Sequence, residues 1–87
     1  MYIIMVYDVK VKRINKVRNT ARRYLNWIQN SVFEGELTKG QLRLLVHELK
    51  NAIDPSEDSI IIYVLPFDNE PDRVIIGIEK GEITDYL

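Results

Sequence analysis

An aspartate ends the first apolar run of this chain. "YIIMVY", residues 2–7, stops at Asp8, and Lys10, Lys12, Arg13 and Lys16 follow at once. A carboxylate beside dense positive charge suits chemistry on phosphodiesters. The acid offers hard oxygen ligands for magnesium, which is commonly held by one or two carboxylates together with waters and substrate phosphates. A cation held in that way polarises a phosphodiester and generates a nucleophile from water. One carboxylate is thin for the task, but a two-fold axis would bring two copies of Asp8 together. The plainer alternative is structural: an aspartate in this place also opens a strand-to-helix turn or caps the helix behind it.

The positive charge continues beyond the turn. Residues 10–23 contain Lys10, Lys12, Arg13, Lys16, Arg18, Arg22 and Arg23 and no acid, although the whole chain has a net charge of only −1. From His47 onward ten acids face three bases. Ordinary surface helices mix signs to form pairs one turn apart. An unmixed run predicts contact with a phosphate backbone, without reading of base sequence, and Lys10, Lys12, Arg13, Lys16, Arg18 and Arg22 are the candidates. A solvated helix face is the alternative. Elsewhere the chemistry is sparse. His47 is the only histidine, and "HELK" lacks the second histidine of a zinc-protease helix. Ser31 has no base near it in sequence, there is no cysteine for a thiolate site, and no glycine-rich phosphate loop occurs.

These residues need a scaffold, and the apolar pattern supplies one. Tyr2 to Val9 reads as a buried strand, too apolar for a sheet edge. Ile14, Val17, Ala21, Tyr24, Leu25 and Ile28 then recur at helical steps, with Arg18 and Arg22 one turn apart on another face. "WIQNSVFEGEL" reads as a hairpin turning at Asn30-Ser31. Thr38 and Gln41 match a capping box and start a second helix, whose stripe is Leu42, Leu45, Val46, Leu49 and Ile53. Asp54-Pro55 ends it. "SIIIYVLP" and "RVIIGI" are two further strands, and "EITDYL" adds a short edge strand.

The order β-α-β-β-α-β with one extra C-terminal strand predicts a single α+β, ferredoxin-like sandwich over residues 1–87. Both helices then lie on one face of the sheet. The other face carries strand isoleucines and needs cover. A homodimer is expected to provide it, because a chain this short and without disulfides buries modest surface alone. No apolar run is long enough to span a bilayer, no secretory signal is expected, and a cysteine-free chain fits a reducing cytoplasm.

Three segments together resemble a known family. "YD" closing the first strand, "IQNSVFEGEL" before a threonine-capped helix, and "DPSEDSIIIYVLP" are similar to the small CRISPR-associated nuclease family Cas2. The resemblance covers almost the whole chain. It implies a tight two-fold dimer whose last strand crosses to the partner's sheet, with Asp8 of both subunits facing the dimer cleft and binding magnesium. It further implies metal-dependent cleavage of RNA or double-stranded DNA. In spacer adaptation it implies a dimer that bridges two dimers of the CRISPR integrase, Cas1, and holds the incoming DNA. Tyr7 and Asp8 match the family's strand-end pair, Arg13 and Lys16 fall at its basic helix start, and Ser31, Val32 and Phe33 match its hairpin block. Trp27 is a departure, since an arginine often stands before "IQ" in relatives.

Three functions therefore stay open: a metal-dependent endonuclease, a non-catalytic adaptor for the integrase, and, outside the family, a small regulatory or ligand-binding domain.

Overall fold

A computed structural model of the chain describes residues 1–78. Six elements follow in the order β1 (Tyr2–Asp8), α1 (Val11–Arg22), β2 (Asn26–Gln29), β3 (Val32–Glu36), α2 (Lys39–Ala52) and β4 (Ser59–Leu65). The strands form one sheet in the order β2-β3-β1-β4, and each pairing is antiparallel. Two split β-α-β units interleaved in this way make the ferredoxin-like sandwich. The apolar first strand lies in the interior of the sheet, as its composition requires.

Strand alternation sorts the side chains of β1 into two sets. Ile3, Met5 and Tyr7 are buried with Phe33 of β3, Val17 and Ala21 of α1, and Leu45 and Leu49 of α2. Ile3, Met5, Val17, Phe33 and Leu45 have no solvent exposure. Each such burial contributes about 1.5–3 kcal/mol, so this layer holds the sandwich together. Gly35 stands opposite Ile3, where a Cβ would come within 3.3 Å of the Leu25 side chain. Ile4, Val6 and Asp8 lie on the other face. Their register partners on β4 are Tyr63, Ile61 and Ser59, and Tyr63 and Ile61 are about half exposed, at 53% and 49%.

The hairpin turns at Asn30-Ser31, with Asn30 in the left-handed region at φ 39°. α2 starts on the expected capping box: Gln41 N–H donates to Thr38 Oγ1 and Gln41 Oε1 accepts from Thr38 N–H. Two expectations need correction. The periodicity that runs to Ile28 overshoots, because α1 ends at Arg22 and Ile28 lies on β2. Pairing of Trp27 with Phe33 outweighs helical spacing there. "RVIIGI" is not a strand within this chain: residues 66–78 carry no ladder, because an apolar run becomes a strand only when a sheet edge accepts its backbone. "EITDYL" lies outside the described residues. No helix among the described residues is long and apolar enough to cross a membrane.

Candidate nucleic-acid and metal site

Asp8 is the last residue of β1 and is exposed. It stands on the helix-free face, in line with Ile4 and Val6, and no described residue donates a hydrogen bond to its side chain or pairs with it. The structural role that an aspartate could have played here belongs to Asp58. That residue lies just before β4, and its side chain is fully buried. Its Oδ1 accepts Lys10 N–H at 2.9 Å, and its Oδ2 accepts Asp54 N–H at 2.9 Å. Arg13 closes on it with Nε–Oδ2 at 2.5 Å and Nη2–Oδ1 at 3.1 Å. Lys10 occupies the N-cap of α1 and has no side-chain cap of its own, so Asp58 satisfies the helix start from across the chain. The Arg13 guanidinium holds the Asp58 carboxyl well below the usual carboxylate range, helped by the two backbone N–H groups and opposed by burial. Asp58, and then Glu57, raise Arg13 in return.

The basic run divides between the two sides of α1. On the side toward α2 and the loop before β4, Arg13 pairs with Asp58 and Glu57. Lys12 lies 3.9 Å from Glu57, and Lys16 Nζ donates to Asn51 C=O at 3.4 Å. Arg23 pairs with Glu48, which also accepts the Tyr24 hydroxyl. The Tyr24 hydrogen bond, with Arg23 beside it, keeps Glu48 below its ordinary value. On the hairpin side the picture differs. The side chains of Arg18 and Arg22 meet no carboxylate among the described residues, and neither does the Lys10 ammonium. Of the six expected phosphate contacts, Arg13 is thus bound into an internal ion pair, Lys12 and Lys16 are partly engaged, and the side chains of Lys10, Arg18 and Arg22 have no carboxylate partner among the described residues.

A second network lies on the helix-free face and went unread in the sequence. Glu34 is only 5% exposed. It accepts the Tyr2 hydroxyl, and Arg73 donates to its Oε1 at 2.6 Å. Burial and the Glu34 hydrogen bond push the Tyr2 hydroxyl pKa up. Met1 and Asp68 add another tie, at 2.6 Å. These contacts lay the segment after β4 against the sheet and leave Val74, Ile76 and Ile78 exposed at 89%, 96% and 77%. A buried acid on a strand can be found from sequence only if the arginine that meets it, 39 residues away, is known in advance. Asp58 did have a local signal, the acidic "DPSED" just before a strand. His47 is exposed on α2, as expected.

Carboxylate oxygens are the donors magnesium prefers, and Asp8 has both of its own oxygens uncommitted within the described chain. Among the described residues no three His, Asp or Glu side chains converge as a ligand set. Asp8 therefore fits a hard cation in donor type, as one of the one or two carboxylates that magnesium takes beside waters and substrate phosphates.

Comparison with known proteins places the fold in a family. The sequence model of the family described as CRISPR associated protein Cas2 matches residues 1–73. A protein of Dictyoglomus turgidum named CRISPR-associated endoribonuclease Cas2 is 52% identical over 87 residues, covering both chains in full. A Methanocaldococcus jannaschii protein of the same name is 48% identical over 87 residues, all of this chain and 76% of that one. Among solved structures, one described as a crystal structure of Cas2 superposes with a TM-score of 0.86 at 42% identity, covering 100% of this chain and 98% of the other. Streptococcus pyogenes Cas2 at pH 6.5 gives 0.69 at 34% identity, over 75% and 86% of the two chains. Matched by the family model over residues 1–73 and 52% identical over 87 residues to a relative of that name, the chain belongs to the CRISPR-associated Cas2 family.

Proposed function

We propose that this protein works as a homodimer on nucleic acid in a CRISPR system, with the Asp8 carboxylates of two subunits holding a divalent cation, magnesium being the expected one, for phosphodiester cleavage. One observation carries the reading: Asp8 is exposed at the end of a rigid central strand and does no structural work, because Asp58 already satisfies the helix start. The half-exposed apolar face around Ile61 and Tyr63, and the exposed Val74, Ile76 and Ile78, support a second copy as its cover. Packing two such faces together would bring the strand ends that carry Asp8 toward one cleft. When bound, a cation supplies Lewis-acid polarisation of the phosphodiester and a more acidic water. The chain's own residues orient the substrate: Lys10, Arg18 and Arg22 attract and neutralise phosphates. The curated relatives are named endoribonucleases, which favours RNA as the substrate. Cleavage that requires magnesium and is lost in Asp8→Asn, with the variant still folded, is the expected result; equal cleavage by both proteins would refute it.

A second reading is favoured by the uncompensated bases on the hairpin side of α1. In it the dimer bridges the CRISPR integrase, Cas1, and holds double-stranded spacer DNA without cutting. Asp8→Asn would then retain spacer capture, whereas charge reversal at Arg18 and Arg22 would abolish it.

A further inference from the structure

Tyr7, next to Asp8, is a junction between three elements. Its backbone N–H donates to Ser31 C=O at 3.1 Å. Its hydroxyl donates to Asn30 C=O at 3.2 Å and accepts Arg18 Nε–H at 2.8 Å. Asn30 C=O also accepts Trp27 Nε1–H at 3.0 Å. The phenol itself is buried, at 4% exposure, so its oxygen is a fixed point. Arg18 is thereby anchored through Nε alone. No described residue accepts from its two terminal nitrogens, and no buried side-chain nitrogen or oxygen in the described chain lacks a partner. The terminal nitrogens therefore face water. A guanidinium already fixed at Nε loses less freedom when its ends close on phosphate oxygens.

We propose that Arg18 is a phosphate-binding residue preorganised by the Tyr7 hydroxyl, and that with Arg22 one turn away it takes a nucleic-acid backbone along the hairpin side of α1. The inference rests on the nucleic-acid reading above and adds to it an uncharged positioning residue, Tyr7. Lysine at position 18 would keep the charge but lose both the Nε anchor and the two-pronged phosphate contact.

A double-mutant cycle tests the pair. Affinities of the full chain for a labelled DNA duplex and a labelled single-stranded RNA would be measured by fluorescence anisotropy over a salt series. The proteins are wild type, Tyr7→Phe, Arg18→Lys, Arg18→Gln and the Tyr7→Phe/Arg18→Gln double variant, each checked for folding. Tyr7→Phe should weaken binding roughly three- to fivefold with the salt slope unchanged. Arg18→Gln should weaken it further and reduce the duplex slope by about 0.9. Arg18→Lys should keep the slope and still bind more weakly. The double variant should bind no worse than Arg18→Gln, because the hydroxyl acts only through the arginine. This pattern in either nucleic acid supports the proposal and identifies which backbone the pair serves. Wild-type affinity in Tyr7→Phe and Arg18→Lys, or losses that multiply in the double variant, would overturn it alone. Absence of wild-type binding to both probes at low salt would overturn the nucleic-acid reading as well. Should Tyr7→Phe fail to fold, Arg18→Lys still decides.

Discussion

Asp8 and Asp58 lie at the same end of the sheet, since Asp8 pairs in register with Ser59, the residue after Asp58. Their surroundings are opposite. Asp58 is buried and accepts hydrogen bonds from two backbone N–H groups and an arginine. Asp8 is exposed on a face without helices and accepts none from the described chain. An acid whose every oxygen is satisfied inside the fold holds the fold. An acid fixed at its backbone and exposed at its carboxylate leaves its oxygens to water or to an added ligand. The same contrast divides the basic run: Arg13 closes the Asp58 site, whereas Arg18, half-buried against the Tyr7 hydroxyl, and the exposed Arg22 meet no carboxylate among the described residues.

The contrast breaks most visibly in stability. Asp58→Ala strips the start of α1 and leaves Arg13 without its main partner, and it should lower the melting temperature by roughly 8 °C or more. Asp8→Asn should shift it by no more than about 2 °C, because no internal contact is lost. Scanning calorimetry of the two variants beside wild type checks both. A large loss in Asp8→Asn would erase the distinction between the two acids.

Acid should remove the Asp58 contribution next. Its folded pKa is depressed, so the stabilisation is complete above the unfolded carboxylate value of about 3.9. It declines as pH falls below that value and is gone once pH passes the folded value. Denaturant melts from pH 7 down to pH 2 should show wild type and Asp58→Asn converging below about pH 4. Curves that stay parallel throughout would remove Arg13–Asp58 as the cause.

Magnesium sharpens the other half of the comparison. A cation held by Asp8 in the proposed dimer should raise the wild-type melting temperature by a few degrees at saturation, and chelation should reverse the shift. Asp8→Asn should not respond. Thermal melts with magnesium and with chelator read this directly.

The smallest effects belong to the bases turned toward α2. Lys12→Ala and Lys16→Ala should each change stability by less than about 0.5 kcal/mol, as exposed pairs do. Duplex affinity should fall less in either than in Arg18→Gln. Anisotropy titrations would test the ranking, and a reversed order would move the binding face to the α2 side.

Much of this was legible in the sequence, for reasons that particular residues make plain. The apolar run ending at Asp8, the capping box of Thr38 and Gln41, and the turn at Asn30-Ser31 are local patterns, and local patterns determine local structure. Ile28 misled because a helical spacing can continue by chance into a strand, where only the partner Val32-Phe33 segment decides. "RVIIGI" has strand composition but no ladder within the described chain, since composition does not provide an edge. The basic run was visible as charge. Its division into engaged and open halves was not, because that depends on Asp58, Glu57 and Glu48, 25 to 45 residues away. Only the fold brings those acids to one side of α1.

The most direct measurement is cleavage of single-stranded RNA and duplex DNA by wild type and Asp8→Asn, prepared identically, shown to be folded dimers, and assayed with and without magnesium. Cutting by wild type alone, and only with the metal, is the expected result: Asp8 then acts on the substrate while Asp58 holds the fold. Equal cutting by both proteins, or cutting that ignores magnesium, would contradict the role assigned to Asp8. Cutting by neither would favour the proposed non-catalytic adaptor over the nuclease.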